Sequence, residues 1–284
     1  MFNNYKMNII SNKYKIIDKL TNGTFGTIYK GENIRTGEFV AIKFEPKNCI
    51  MKSLKNEAKI YQYLGKQDGF PQLKWFGSND TNTYLVIDLL GVSLSEMLKK
   101  YKAFSLKSVL LLGIQIIKRV QTLHNFHLLH RDIKPDNFLF GLGLDTNKLY
   151  LVDFGLSKRY NYDGIHIPEK HINSLVGSPN FVSLNVHKKV EPSRRDDLES
   201  CIYIIINMLL GKLEWVDKMD HNEISLLKYQ LTSLINVPFF IKNMLDYIRN
   251  IRFDETPDYD YLINIMITIL NENGFTNDNI LEWN

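Results

Sequence analysis

The chain has 284 residues, enough for one large domain or two small ones, and its 44% hydrophobic and 23% charged residues are those of an ordinary soluble globular protein. A net charge of +4, with the pairs Lys99-Lys100, Lys188-Lys189 and Arg194-Arg195 scattered, argues against a nucleic-acid partner. The two cysteines suggest no disulfide framework, the start from Met1 to Asn12 lacks a signal-peptide core, and the longest apolar run (Cys201 to Leu210) is far short of the about 20 residues of a membrane span; a soluble, intracellular protein without a membrane partner is expected.

Short β-branched or aromatic runs open the chain: Tyr14 to Ile17, Thr27 to Tyr29, Phe39 to Ile42 and Tyr84 to Ile87, separated by turn signals such as Thr36-Gly37. One helix, around Leu54 to Leu64, interrupts them. From Ser105 the character changes, with Ser105 an N-cap for a helix through Leu123. A second helix, roughly Asp196 to Leu210, is apolar nearly all round, as helices buried inside a domain are. The pattern predicts an α+β chain: a small β-rich lobe over 14–87, a connecting stretch Asp88-Leu89-Leu90-Gly91, and a larger, mainly helical lobe over 92–284.

Residues 130–137 read His-Arg-Asp-Ile-Lys-Pro-Asp-Asn, and Asp153-Phe154-Gly155 follows the run Leu149-Tyr150-Leu151-Val152. Phosphoryl transfer requires such groups. Asp132 would orient and accept the proton of a hydroxyl, Lys134 would neutralise charge on the transferred group, and Asn137 and Asp153 would hold Mg²⁺ against the phosphates of ATP. Upstream, Leu20-Thr21-Asn22-Gly23-Thr24-Phe25-Gly26-Thr27-Ile28 is a glycine-rich loop in which backbone N–H groups can approach phosphates, with Thr21 where a first glycine is usual. Within Val40-Ala41-Ile42-Lys43, Lys43 would reach the α- and β-phosphates, and Glu57 on the predicted helix is the carboxylate to hold it. The nucleotide site so read takes Leu20, Thr21, Asn22, Gly23, Gly26, Ile28, Ala41 and Lys43. His124, His127 and His130 recur every third residue, as metal ligands can, but no other ligand cluster accompanies them, and His124 and His127 are read as helix-end and loop residues.

Beyond these motifs the sequence resembles the casein kinase I family of serine/threonine protein kinases. Leu89 to Leu94 is similar to that family's LLGPSL, Phe104 to Leu110 to FSLKTVL, and Ile251 to Asp254 with Pro257-Asp258-Tyr259 to LRFDDKPDY. Pro135 to Leu139 matches PDNFL, Ser193 to Ser200 matches SRRDDLES, and Leu281-Glu282-Trp283-Asn284 is similar to the closing FDWN. Ser183-Leu184-Asn185 stands where the family carries SIN. The resemblance spans residues 14–284 and implies the bilobal protein kinase fold. It implies further that Ile87 lies behind the adenine, that Asp88 and Leu90 meet it at the hinge, that Leu139 floors the pocket, and that Asp197 anchors the catalytic loop.

The expected activity is transfer of the ATP γ-phosphate to Ser or Thr hydroxyls of protein substrates, since Lys134 two residues after Asp132 favours those acceptors over tyrosine. The competing reading is a pseudokinase that binds nucleotide or partners without catalysis, resting on Thr21 alone. A small-molecule kinase is disfavoured by the long segment from Asp153 to Ser183. A monomer is the default. With no stretch after Asn284 to serve as a regulatory tail, activity without that form of self-inhibition is expected. The family's preference for targets with a phosphorylated or acidic residue three positions upstream is expected to be weak. Asn180 replaces the arginine of the family's GTARY, Asn173 replaces a nearby lysine, and Lys218 to Glu223 is mixed in charge. Arg131, Lys170 and Lys228 are the cations left to attract acid.

Overall fold

The computed structural model describes residues 9–23, 26–50, 52–231 and 237–283; Met1 to Asn8, the loop tip Thr24-Phe25 and the closing Asn284 of the expected domain lie outside them. The chain divides into two compact units, one running through Gly91 with Val152–Gly155 added, the other made of Val92–Leu151 and Leu156–Asn284.

The first unit is an antiparallel sheet in the order β1-β2-β3-β4-β6-β5: β1 (Ile9–Ile10), β2 (Tyr14–Gly23), β3 (Gly26–Asn33), β4 (Phe39–Pro46), β5 (Leu73–Ser78) and β6 (Asn82–Asp88). Strand alternation gives the two faces different tasks. Val40 and Ile42 on β4 join Ile10, Tyr14, Tyr84 and Val86 in one apolar cluster, to which Phe44 adds an edge-to-face contact with Tyr84 at 4.8 Å. Ala41, Lys43 and Glu45 therefore occupy the other face. There Glu45 accepts the backbone N–H groups of Ser53 (2.8 Å) and Leu54 (3.0 Å), at the start of helix α1 (Leu54–Leu64). Ser53 makes no side-chain cap of its own, so a strand carboxylate satisfies orphan donors at the helix N-terminus. This contact ties α1 to β4 and brings Glu57, in the first turn, towards Lys43.

The second unit is mainly helical: α2 (Leu94–Tyr101), α3 (Leu106–Asn125), α4 (Leu184–His187), α5 (Arg194–Leu210), α6 (His221–Gln230), α7 (Phe239–Asn250) and α8 (Tyr259–Glu272). Short strands β7 (Leu128–Leu129), β8 (Phe138–Phe140), β9 (Leu149–Leu151) and β10 (Lys158–Arg159) frame the catalytic-type motifs, β7 pairing with β10 and β8 with β9; β11 (Asn161–Tyr162) and β12 (Ile165–His166) form a small hairpin. Helix α5 is buried on every side, and packs on α3 and α7. It starts at Arg194, two residues before the sequence-based start, because the backbone N–H of Ser193 bonds to Asp196 (2.7 Å). Ser105 caps α3 by accepting the N–H of Ser108. Trp283 near the chain end packs its ring against Tyr101, Phe104 and Phe140. Among the described residues no helix is long and apolar enough to cross a membrane.

Candidate active site

In the first unit buried Lys43 is the centre of a trio with buried Glu57 and half-buried Asp153. Its Nζ lies 2.8 Å from Glu57 Oε2 and 2.7 Å from Asp153 Oδ1. Burial opposes charge on Lys43, yet the two carboxylates win and hold its pKa above the ordinary lysine range. Glu57, only 2% exposed, is pushed by burial to about 7 despite the pull of Lys43. Asp153 has φ +67°, a left-handed backbone that an L-residue holds only when its surroundings enforce it. They do: Tyr61, one turn after Glu57, accepts the N–H of Asp153 (3.3 Å), and the Phe154 ring packs on Tyr61 and Phe70.

The residues assigned to the nucleotide lie along this face and its edge. Thr21 pairs with Ile28, Asn22 with Thr27 and Gly23 with Gly26 at the end of the β2–β3 hairpin, and Leu20 is exposed at a bulge. Gly26 has φ +147°, and a Cβ there would come within 2.0 Å of the Phe44 carbonyl oxygen, so only glycine fits. Thr21 is absent from the positive-φ positions, which explains why a residue with a Cβ can stand there. Thr21→Gly is accordingly expected to change the apparent ATP affinity by less than about tenfold, or about 1.4 kcal/mol, measured by nucleotide titration. Ala41 pairs with Ile87, and the Asp88 carboxylate is committed to the Gln72 N–H (2.7 Å) and Lys74 Nζ (2.8 Å), so only its backbone is left to meet a base. Leu90 is half-buried at the end of this unit.

In the second unit a compact group surrounds Asp132, which is 5% exposed. Its Oδ2 accepts Lys134 Nζ at 2.7 Å, its Oδ1 accepts the Ser178 hydroxyl at 2.7 Å, and Lys134 Nζ also donates to Ser178 Oγ at 3.1 Å. Asn137 donates Nδ2 to the Asp132 carbonyl (2.8 Å), which leaves its Oδ1 as the atom with lone pairs to offer a cation. Gly177, φ +101°, lies against the Arg131 carbonyl so closely that a Cβ would sit 2.5 Å from it; no side chain could carry Ser178 to Asp132 by this route. Leu139 on β8 is half-buried, opposite Tyr150 and bridged to Ser93.

Asp197 fixes the loop that carries Asp132. It accepts the N–H groups of His130 (2.8 Å) and Arg131 (2.9 Å) and His124 Nε2 (3.0 Å), while Tyr259 OH meets His124 Nδ1 (2.7 Å). Burial alone would raise the Asp197 pKa, but His124, His130 and these donors hold it below the ordinary carboxylate range. His124, in the last turn of α3 as expected, is thus also a core residue of this network. Arg131 (φ +66°) donates Nε to the Leu156 carbonyl at 2.6 Å. Buried Glu191 draws in Lys158 Nζ at 2.8 Å, Arg131 Nη1 at 3.8 Å and Lys170 Nζ at 4.0 Å.

Tyr61, Ser178 and Glu191 were not singled out from the sequence, having no local signature: each meets its partner across a long stretch of chain. Two expectations are corrected. Lys228 is not a surface cation, for it is 0% exposed and its Nζ donates to the carbonyls of Pro179 and Val182, both at 2.7 Å. Arg131 is not uncommitted either, because it faces Glu191, whereas the Lys170 side chain, 4.0 Å from the same carboxylate, is 60% exposed and stays open to solvent. A family model described as the protein kinase domain matches residues 14–276. Nearly the whole chain is covered, in the α+β architecture that such a domain has, and the chain belongs to the protein kinase family.

Proposed function

We propose that this protein kinase is an active serine/threonine kinase using MgATP, with Asp132 as the group that orients the acceptor hydroxyl and takes its proton. The observation that carries the reading is the Ser178 hydroxyl, which donates to Asp132 Oδ1 at 2.7 Å with Lys134 beside both. The chain's own serine supports the reading that an aliphatic hydroxyl presents its proton to this carboxylate. A Ser or Thr oxygen sits one carbon from its backbone, and suits a carboxylate approached as closely as Ser178 approaches it.

The residues present suit the nucleotide and its metal ion. An ammonium held charged by two carboxylates fits phosphate oxygens, the glycine at 26 keeps side-chain atoms out of the loop, and a carboxylate (Asp153) with an amide oxygen (Asn137) is a hard donor set of the kind Mg²⁺ takes. When bound, MgATP supplies the electrophilic phosphorus and neutralises the charge on the phosphates. Lys43, oriented by Glu57, then positions phosphate oxygens. Asp132 accepts the hydroxyl proton, and Lys134 offsets charge beside it. Leu20, Thr21, Asn22, Gly23, Gly26, Ile28, Ala41 and Leu139 line the nucleotide, with the backbone of Asp88 and Leu90 towards the base. We take 14–87, 88–91 and 92–284 as small lobe, hinge and large lobe of one domain. Peptides identical but for Ser, Thr or Tyr as acceptor test the specificity: Ser and Thr are expected to be phosphorylated, and a preference for Tyr would overturn it.

Within the family the casein kinase I resemblance is the subfamily reading, supported by the unchanged SRRDDLES segment, whose Arg194 donates to the Asp254 carbonyl (2.7 Å) and Thr256 (3.1 Å). The departures at Asn173 and Asn180 bear on substrate choice. With Arg131 turned to Glu191 and Lys228 buried, only exposed Lys170 of the cations named above remains to attract a primed substrate, and charge-assisted contacts of about 1.5–3 kcal/mol each are lost. On paired peptides with phosphoserine or alanine three residues before the target serine, kcat/KM is expected to differ by less than about 100-fold, or about 2.7 kcal/mol. A larger preference contradicts this, whereas a gain of preference in Asn180→Arg supports it.

A further inference from the structure

The stretch from Ser178 to Val182 follows the glycine at 177 and delivers the Ser178 hydroxyl to Asp132. Its own backbone supplies little: the Ser178 carbonyl accepts the N–H groups of Phe181 (2.8 Å) and Val182 (3.0 Å), a single turn. The carbonyls of Pro179 and Val182 point instead at α6, where both accept Lys228 Nζ at 2.7 Å. Between them, the Asn180 carbonyl accepts Trp215 Nε1 at 2.8 Å. Lys228 Nζ also lies 3.1 Å from His187 Nε2, over the Tyr203 ring at 4.8 Å and over the Trp215 ring at 5.6 Å.

A lysine with no carboxylate in hydrogen-bond contact and no exposed surface is an expensive arrangement, since burying a cation requires compensation by hydrogen bonds. We propose that Lys228 is a positioning residue for the peptide acceptor: by holding the carbonyls of Pro179 and Val182 it fixes the ledge that presents Ser178 to Asp132. The inference rests on the serine/threonine kinase reading above and assigns Lys228 a role in that reaction without contact with the reacting atoms.

The clamp works in either protonation state. As an ammonium, Lys228 has three donors for two carbonyls and the unprotonated His187 Nε2; as an amine, it has two donors for the carbonyls and a lone pair to accept His187 Nε2–H. Burial lowers its pKa to about 7, with Glu199 opposing and Arg249 adding to the fall, and His187, pushed down to about 4 by burial and by Lys228, stays neutral beside it. Nothing in this arrangement offers the ammonium to a solvent anion. Replacing Lys228 by methionine keeps the stem and deletes the donors, leaving the two carbonyls without their partner.

The test compares wild type and Lys228→Met in steady-state assays with a serine peptide. For the variant, KM for peptide is expected to rise at least about tenfold while KM for ATP stays within about twofold, a split that general destabilisation would not give. Melting with and without MgATP reports folding independently. Should Lys228→Met lose the MgATP-induced rise in Tm, Trp215→Phe, which removes the donor to Asn180 together with part of the buried ring, carries the same expectation. An active wild type whose variants keep its peptide KM, or lose ATP and peptide affinity together, overturns the inference alone. A wild type that transfers no phosphate overturns the kinase reading beneath it.

Discussion

Asp132→Asn is expected to lower turnover by roughly 10²–10⁴-fold, the contribution of a positioned general base, while nucleotide still binds. The substitution keeps the side-chain shape, and the loop stays anchored because Asp197 holds it by the backbone N–H groups of His130 and Arg131. What changes is chemistry. The amide cannot take a proton, and whichever way it is turned, an NH₂ group faces either Lys134 Nζ or the Ser178 hydroxyl, where the carboxylate had one oxygen to accept each. Isothermal titration with a non-hydrolysable ATP analogue and a peptide kinase assay separate the two effects. Turnover close to wild type would place the proton acceptor elsewhere.

Lys43→Met is the second large effect, with activity expected to fall by about 10²-fold or more through lost phosphate positioning. Its effect on stability is expected to depend on pH, because removing Lys43 leaves Glu57 and Asp153 without the cation between them. The Glu57 pKa is already raised from 4.5 to about 7 in the folded wild type. A carboxyl raised on folding contributes stability that is fully present below its unfolded value and is lost as pH rises through the folded value. For wild type that window runs from about 4.5 to about 7; without Lys43, which pulls the value down, it extends higher. The variant should therefore match wild type more closely in Tm at pH 5.5 than at pH 8. A gap independent of pH would show that Glu57 does not take up the proton.

Much of the fold was legible because local signals were strong. Helix α1 has the expected boundaries, Leu54 to Leu64, and β4 and β6 contain the β-branched and aromatic runs Phe39 to Ile42 and Tyr84 to Ile87. Strand β5, Leu-Lys-Trp-Phe-Gly-Ser, carries no such signal: it is a half-buried edge strand with a bulge and a glycine, and tertiary pairing with β6 rather than propensity makes it a strand. In the site, Asp132, Lys134 and Asn137 are legible because they stand close together in one segment, residues 130–137, and phosphoryl transfer calls for their types. Ser178 could not be read the same way. It reaches Asp132 only because Gly177 passes under the Arg131 carbonyl, a contact between segments 46 residues apart at the serine. Lys228 is opaque for a related reason: composition counts a charge, and only packing tells that the ammonium turns inward to carbonyls.

The most direct test of the account is transfer of label from [γ-³²P]ATP, with Mg²⁺, to a serine-containing peptide library by the purified chain, with Asp132→Asn in parallel. The account predicts phosphoserine and phosphothreonine products from the wild type and a loss of about 10²-fold or more in the variant. Binding of MgATP with no label on any peptide, protein or the chain itself would contradict it and make the protein a nucleotide-binding scaffold.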